Sequence, residues 1–149
     1  MTVKSDAFEH GGTIPKKHTG EGEDISPPLK WSGLPEDTRE IAILCEDPDA
    51  PGDGPWVHWI VTCIPRERHT LPEANAGGGF EGINSWGRPG YGGPMPPPSH
   101  GPHHYHFRVF ALDQGLSLGM GATKEELLEK MEGHVLDEGV LIGICERKG

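Results

Sequence analysis

The sequence predicts a mainly β fold, an antiparallel sandwich or barrel-like sheet pair, with a helix packed outside it on the C-terminal side at 123–138. Three observations carry this. Apolar residues come in short bunches, IAILC (41–45), WVHWIVTCI (56–64), FRVFAL (107–112) and VLIGIC (140–145). Each bunch has strand length and is bounded by turn formers. Helical periodicity shows clearly in one late segment, so the strand–helix alternation of a parallel sheet is missing. Glycine (23) and proline (15) are abundant in the 149 residues but follow no period, which fits a loop-rich globular chain rather than collagen. The length suits one domain, 1–149, able to bury its own core.

The elements follow in order. A short strand is expected around 3–8. Residues 11–37 read as mostly irregular, because prolines at 15, 27, 28 and 35 forbid a long helix. REIAILCED (39–47) and WVHWIVTCI (56–64) read as buried strands joined by the turn-rich PDAPGDGP. The glycine triplet 77–79 reads as slack in a long loop. HYHFRVFAL (104–112) is a third strand. In TKEELLEKMEGHVLDEG, Thr123 and Glu126 form a capping box. Leu127, Met131 and Val135 follow as an apolar stripe, and Gly139 offers a stop. VLIGICER (140–147) closes the chain as a strand.

Composition excludes several functions. A net charge of −10 argues against general nucleic-acid binding and against adsorption on an anionic membrane. No stretch has transmembrane length, so no membrane insertion is expected. MTVKSDAFEHGG lacks the apolar core of a signal peptide. Cys45, Cys63 and Cys145 are odd in number, widely spaced and set in apolar runs, which reads as buried thiols. A reduced, cytoplasmic protein is the expectation.

Candidate site residues come from strand parity, since side chains alternate across a strand. Ile41, Ile43 and Cys45 share a face that Asp47 continues. Trp56, His58, Ile60 and Thr62 share one face of the next strand. His103 and Tyr105 continue the core face of Phe107 and Val109, while His104, His106 and Arg108 look outward. If the three strand ends converge, a carboxylate, two imidazoles, a phenol and an indole meet in a pocket. Such a pocket suits an anion, with Asp47 fixing a histidine tautomer and the N–H groups of Gly92 and Gly93 forming a nest. Other uses of the same residues stay open. Buried His, Asp and Tyr can form a purely structural network. A metal site lacks any HExxH or CxxC pattern, and neither Ser85 nor Ser99 sits in GxSxG. No metal, cofactor or enzymatic activity is expected.

EDPDAPGDGPWVHWIV (46–61) and GINSWGRPGYGGPMPPPSHGPHHYHFRVFAL (82–112), with GEDISPPLKWSGLP (22–35) before them, resemble the phosphatidylethanolamine-binding protein family. The likeness is to its prokaryotic, Raf kinase inhibitor-like branch and spans nearly the whole chain. It implies a large antiparallel sheet packed on a smaller one with a helix near the C-terminus, and a binding protein for phosphate or a phospholipid head group. Its pocket would comprise Asp47, Asp49, Pro51, Trp56, His58, Gly93, Pro94, Pro96, His103 and Tyr105. It also implies regulation of a kinase or protease as an output, with a homodimer compatible. The alternatives are an inhibitor or scaffold module with a vestigial pocket and, third, a metal-dependent enzyme. The family usually has H-R-Y where this chain has His103-His104-Tyr105, which puts in question any ion pair from that position to a neighbouring loop.

Overall fold

The bunched apolar runs become strands in the computed structural model, which describes residues 1–52, 54–75 and 78–147. The strands are β1 (Thr2–Lys4), β2 (Leu29–Ser32), β3 (Glu40–Asp47), β4 (Trp56–Pro65), β5 (Thr70–Leu71), β6 (Phe80–Glu81), β7 (His103–Leu112) and β8 (Val135–Cys145). A helix, α1 (Lys124–Met131), lies between β7 and β8. The large sheet runs β6-β4-β3-β7-β8 and the small one β1-β2-β5, with every pairing antiparallel. Among the described residues, no helix is long and apolar enough to cross a membrane.

The central strand β3 is buried along its whole length because both of its faces are covered. Ile41, Ile43 and Cys45 join Trp59, Val61, Phe107 and Val109 against Leu29, Trp31 and Leu71 of the small sheet. Ala42 and Leu44 join Ile60, Phe110 and Leu112 against Leu127 and Met131 of α1. The near-continuous apolar run of β3 is therefore required by two-sided burial.

Strict alternation fails on β4, and the failure positions the site. Cys45 pairs with Trp59 and Glu46 with Val57, so His58 is an extra residue, a β-bulge. The expected shared face of His58 and Ile60 is thereby broken. Ile60 packs with the helix-side cluster, whereas His58 sits against Tyr105. A second irregularity lies where Ile41 pairs with Ile64 and Ile43 with Val61. There Cys63 adopts φ 59 and is exposed. Cys45 and Cys145 are buried as expected, but Cys63 is not, because this bulge turns it outward.

The helix is shorter than the expected 123–138. Its capping box is present, with Thr123 Oγ1 accepting from Glu126 N–H and Glu126 Oε1 accepting from Thr123 N–H. It ends at Met131, since Glu132 is extended and Gly133 takes φ 80. Val135 and Leu136 belong to β8, where Val135 pairs with Leu112. Gly139 is no helix stop. It pairs with Val109 within β8, and a Cβ there would meet Val3 Cγ2 at 2.7 Å.

The expected strands 39–47, 56–64 and 104–112 lie within one residue of β3, β4 and β7. The first strand is Thr2–Lys4 rather than 3–8, and the last begins five residues before 140. Within 11–37 the chain also forms β2, whose alternation Leu29, Lys30, Trp31, Ser32 is too brief to stand out between prolines. Part of the triplet 77–79 lies outside the described residues. Gly78 and Gly79 are packed tightly rather than slack, with Cβ positions 2.1 Å from Asn75 Oδ1 and 2.5 Å from Thr62 O.

Gly143 pairs with Tyr105, and a Cβ there would meet Ile14 Cγ1 at 2.5 Å and Phe8 Cε2 at 2.7 Å. In an open strand, Gly→Ala would stabilise by roughly 0.5–1 kcal/mol. Here Gly143→Ala is expected to destabilise by about 1–3 kcal/mol through overpacking. Urea denaturation reads the sign, and a stabilised variant would refute the close packing.

Candidate functional site

The site is built where β3 ends, β4 begins and β7 begins. Asp47 closes β3 with 2 % exposure, and His103 opens β7 with 1 %. A buried carboxylate needs its lone pairs answered. Asp47 Oδ2 takes a hydrogen bond from His103 Nδ1 at 2.7 Å, and Oδ1 accepts from Asp49 N–H at 2.8 Å. The first bond fixes the tautomer of His103, leaving Nε2 for other partners. That nitrogen lies 2.6 Å from Nδ1 of His100.

His58, carried in by the bulge, is also buried. Its Nδ1–H donates to Gly92 O at 2.6 Å, which leaves Nε2 for the cleft. Burial lowers the pKa of His58, against the Gly92 carbonyl and the Asp47 charge, which pull it upward. The ring is therefore neutral at pH 7, and its Nε2 carries a lone pair. Tyr105 lies between the two imidazoles, edge-on to His58 at 5.0 Å and stacked with His103 at 6.5 Å. Burial raises the Tyr105 pKa strongly, with Asp47 adding to the effect, so the phenol keeps its proton and can donate.

These groups line a cleft of about 250 Å³. Its remaining wall is apolar: Ala50, Pro51, Trp56, Trp86, Met95, Pro96 and Pro97. Trp56 and Trp86 meet edge to face at 5.5 Å, and Trp86 also lies edge-on to His58 at 5.1 Å. The shape suits a small polar group held at its base, with apolar matter crossing the rim.

Of the ten residues expected at the pocket, Asp47, Pro51, Trp56, His58, Pro96, His103 and Tyr105 line one cleft. Asp49, Gly93 and Pro94 stand behind it. Asp49 receives both the backbone N–H and Nδ1 of His104, at 2.7 and 2.8 Å. Partial burial opposes its charge, but the His104 bonds outweigh this and hold the Asp49 carboxyl below its ordinary range. The link from position 104 to the neighbouring loop is thus made by histidine. Pro94 O accepts from Gly20 N–H at 2.9 Å.

The expected nest at Gly92 and Gly93 is not formed. Gly92 N–H donates to His58 O at 2.9 Å, and Gly93 N–H donates to Asp24 Oδ1 at 2.7 Å. Both donors are consumed in holding the loop, so the cleft offers side-chain polar groups instead. Sequence reasoning missed Trp86, Met95 and Pro97 as wall residues. Trp86 had a readable signal, an aromatic in a Gly-rich loop with no apolar run around it.

The sequence profile of the phosphatidylethanolamine-binding protein family matches residues 4–146. The chain belongs to that family. A UPF0098 protein of Methanothermobacter thermautotrophicus is 46% identical over 153 residues, covering 99% of each chain. Among solved structures, a homolog of phosphatidylethanolamine-binding protein from Chlamydia trachomatis superposes with TM-score 0.93 at 39% identity. It covers 99% of this chain and 97% of that one. YbcL of E. coli, described as a member of the mammalian family, gives 0.92 at 30% identity, covering 99% and 98%. In this family member, Asp47, His58, His103 and Tyr105 of the quoted motifs line one cleft.

Ring ¹⁵N NMR reads the electrostatics of His58 directly. The neutral ring is expected as the Nδ1–H tautomer, titrating below the ordinary value of about 6.5 because burial disfavours its charge. A midpoint above that value, or an Nε2–H tautomer, would contradict the geometry.

Proposed function

We propose that the chain is a binding protein for a small phosphate-like anion, either free phosphate or a phosphomonoester head group, seated in the Tyr105 cleft. One observation carries this reading. β7 brings His103 and Tyr105, and β4 brings His58, to one cleft of about 250 Å³, with Asp47 of β3 buried and bonded to His103. The phenol donates to an oxyanion. The neutral Nε2 of His58 accepts from a protonated phosphate oxygen, or takes that proton and donates. Both descriptions place one proton between ring and ligand. The apolar rim of Trp56, Trp86 and Met95 suits an ester substituent.

Binding rather than turnover fits the neighbouring side chains. Ser85 Oγ accepts from Val57 N–H at 2.7 Å, and Ser99 lies in a turn whose N–H meets Arg147 O. Neither belongs to the cleft wall. Regulation of a protein partner rests on the resemblance alone, cytoplasmic residence rests on the sequence alone, and both, like dimerisation, are secondary to ligand binding in this reading.

The shared proton fixes a pH dependence. A phosphomonoester loses its second proton at about pH 6, and free His58 is neutral above its lowered pKa. Above pH 7 neither free partner carries the proton that the complex needs. Affinity for glycerol phosphate is therefore expected to fall as pH rises from 7 to 9, by up to about tenfold per pH unit while the complex keeps its one proton. Calorimetry at several pH values measures this, and a flat profile would defeat the proton-sharing scheme.

His58→Ala removes one of the polar contacts. It is expected to weaken glycerol phosphate by roughly tenfold, as for loss of one charge-assisted hydrogen bond. Circular dichroism confirms that the variant is folded. Unchanged affinity in folded His58→Ala would remove this site from the reading.

A further inference from the structure

One hydrogen bond at the cleft runs against occupation by a ligand. His103 lines the cleft, yet its Nε2, the ring nitrogen that Asp47 does not engage, is 2.6 Å from Nδ1 of His100. His100 is exposed and is not part of the cleft wall. An imidazole nitrogen holds one proton or one lone pair, so it serves one strong partner at a time. A phosphate oxygen seeking His103 must therefore replace His100.

The local backbone makes His100 the movable member of the pair. Pro96, Pro97 and Pro98 precede it and Pro102 follows, each with φ fixed by its ring. Between them, Ser99 takes φ 61 and Gly101 φ 89, both left-handed. His100 N–H closes a turn onto Pro97 O at 3.2 Å, so its backbone is seated. Its exposed side chain can turn away by χ1 rotation, a fast motion for surface residues. His103 cannot follow, because it is buried and held by Asp47.

We propose that His100 is a built-in competitor for the ligand. It engages His103 Nε2 and is displaced when a phosphate group arrives. The arrangement satisfies a polar nitrogen that would otherwise face a half-apolar cleft, and it sets the affinity below what Tyr105, His58 and His103 would give alone. The identity of the incoming group rests on the function proposed above. The competing bond does not.

The test measures glycerol phosphate binding at pH 7 to the full chain and to His100→Ala. Removing a competing hydrogen bond is expected to tighten binding by roughly 3- to 10-fold. Free imidazole, able to fill the vacated space, is expected to weaken binding to His100→Ala more than to the parent protein. Equal affinity in the two proteins, or weaker binding in the variant, would overturn the competitor role, the latter showing His100 to be a ligand contact.

If neither protein binds glycerol phosphate, the phosphate reading fails and the competitor is judged without ligand. Ring ¹⁵N NMR of His103 is then decisive. A shift of Nε2 to a solvent-exposed position in His100→Ala sustains the competing bond, and an unchanged resonance refutes it.

Discussion

A carboxylate with 2 % exposure must have its charge answered inside the protein, and Asp47 is the point from which this site is organised. Its two oxygens bind two different chain segments. One receives His103 at the start of β7, and the other receives the N–H of Asp49 in the turn after β3. Asp49 in turn holds both the backbone and the ring of His104. A short relay of hydrogen bonds thus ties the end of the central strand to its neighbour and to the intervening loop. Without the carboxylate, His103 would be a buried imidazole with nothing to fix its tautomer or to turn Nε2 toward His100.

The bulge at His58 supplies what strand pairing alone would not. A regular β4 would send His58 toward the helix-side layer with Ile60, far from Tyr105. One extra residue changes the phase, so Trp59 and Val61 fill the inner core while His58 reaches the cleft. The backbone irregularity is stabilised where it is formed, since Gly92 exchanges bonds with His58 through both its N–H and its carbonyl. The second bulge, at Cys63, has no comparable ring of partners around the cleft and merely turns a thiol outward.

Much of this was legible in the sequence, and the exceptions have physical causes. The long strands and the capping box stood out because burial and capping leave strong local signatures. Strand parity brought Asp47, His103 and Tyr105 together, since β3 and β7 pair without irregularity as far as Glu46 and His106, just short of those residues. The same rule misassigned the face of His58, because a bulge depends on what the partner strand and the Gly92 loop supply. Val135 and Leu136 looked helical because they continue the stripe of Leu127 and Met131. Their place in β8 is decided by Val135 pairing with Leu112 and by Asp137 pairing with Ala111, long-range contacts that periodicity does not encode. The His100–His103 bond was equally hidden, because residues three apart across a proline-bounded turn meet only when the turn is known.

The glycines and prolines of 90–102 make sense together once their hydrogen bonds are counted. Gly93 permits close approach, since a Cβ would meet Asp24 Oδ1 at 2.6 Å and His18 O at 2.7 Å. Its N–H therefore anchors the wall to residues 18–24, assisted by Tyr91 Oη donating to His18 O at 2.6 Å. The prolines carry no N–H, so only their carbonyls need partners. Gly20 satisfies Pro94, Arg147 Nε satisfies Pro96 at 2.6 Å, and His100 N–H satisfies Pro97. The wall is thus clamped by segments from both ends of the chain, and the N–H groups of Gly92 and Gly93 are committed to that clamping. An anion entering here meets a phenol and two imidazoles instead of a ring of amide N–H groups. Side chains that titrate and rotate then govern binding, so the protonation state of the ligand and the position of His100 become the quantities on which occupancy turns.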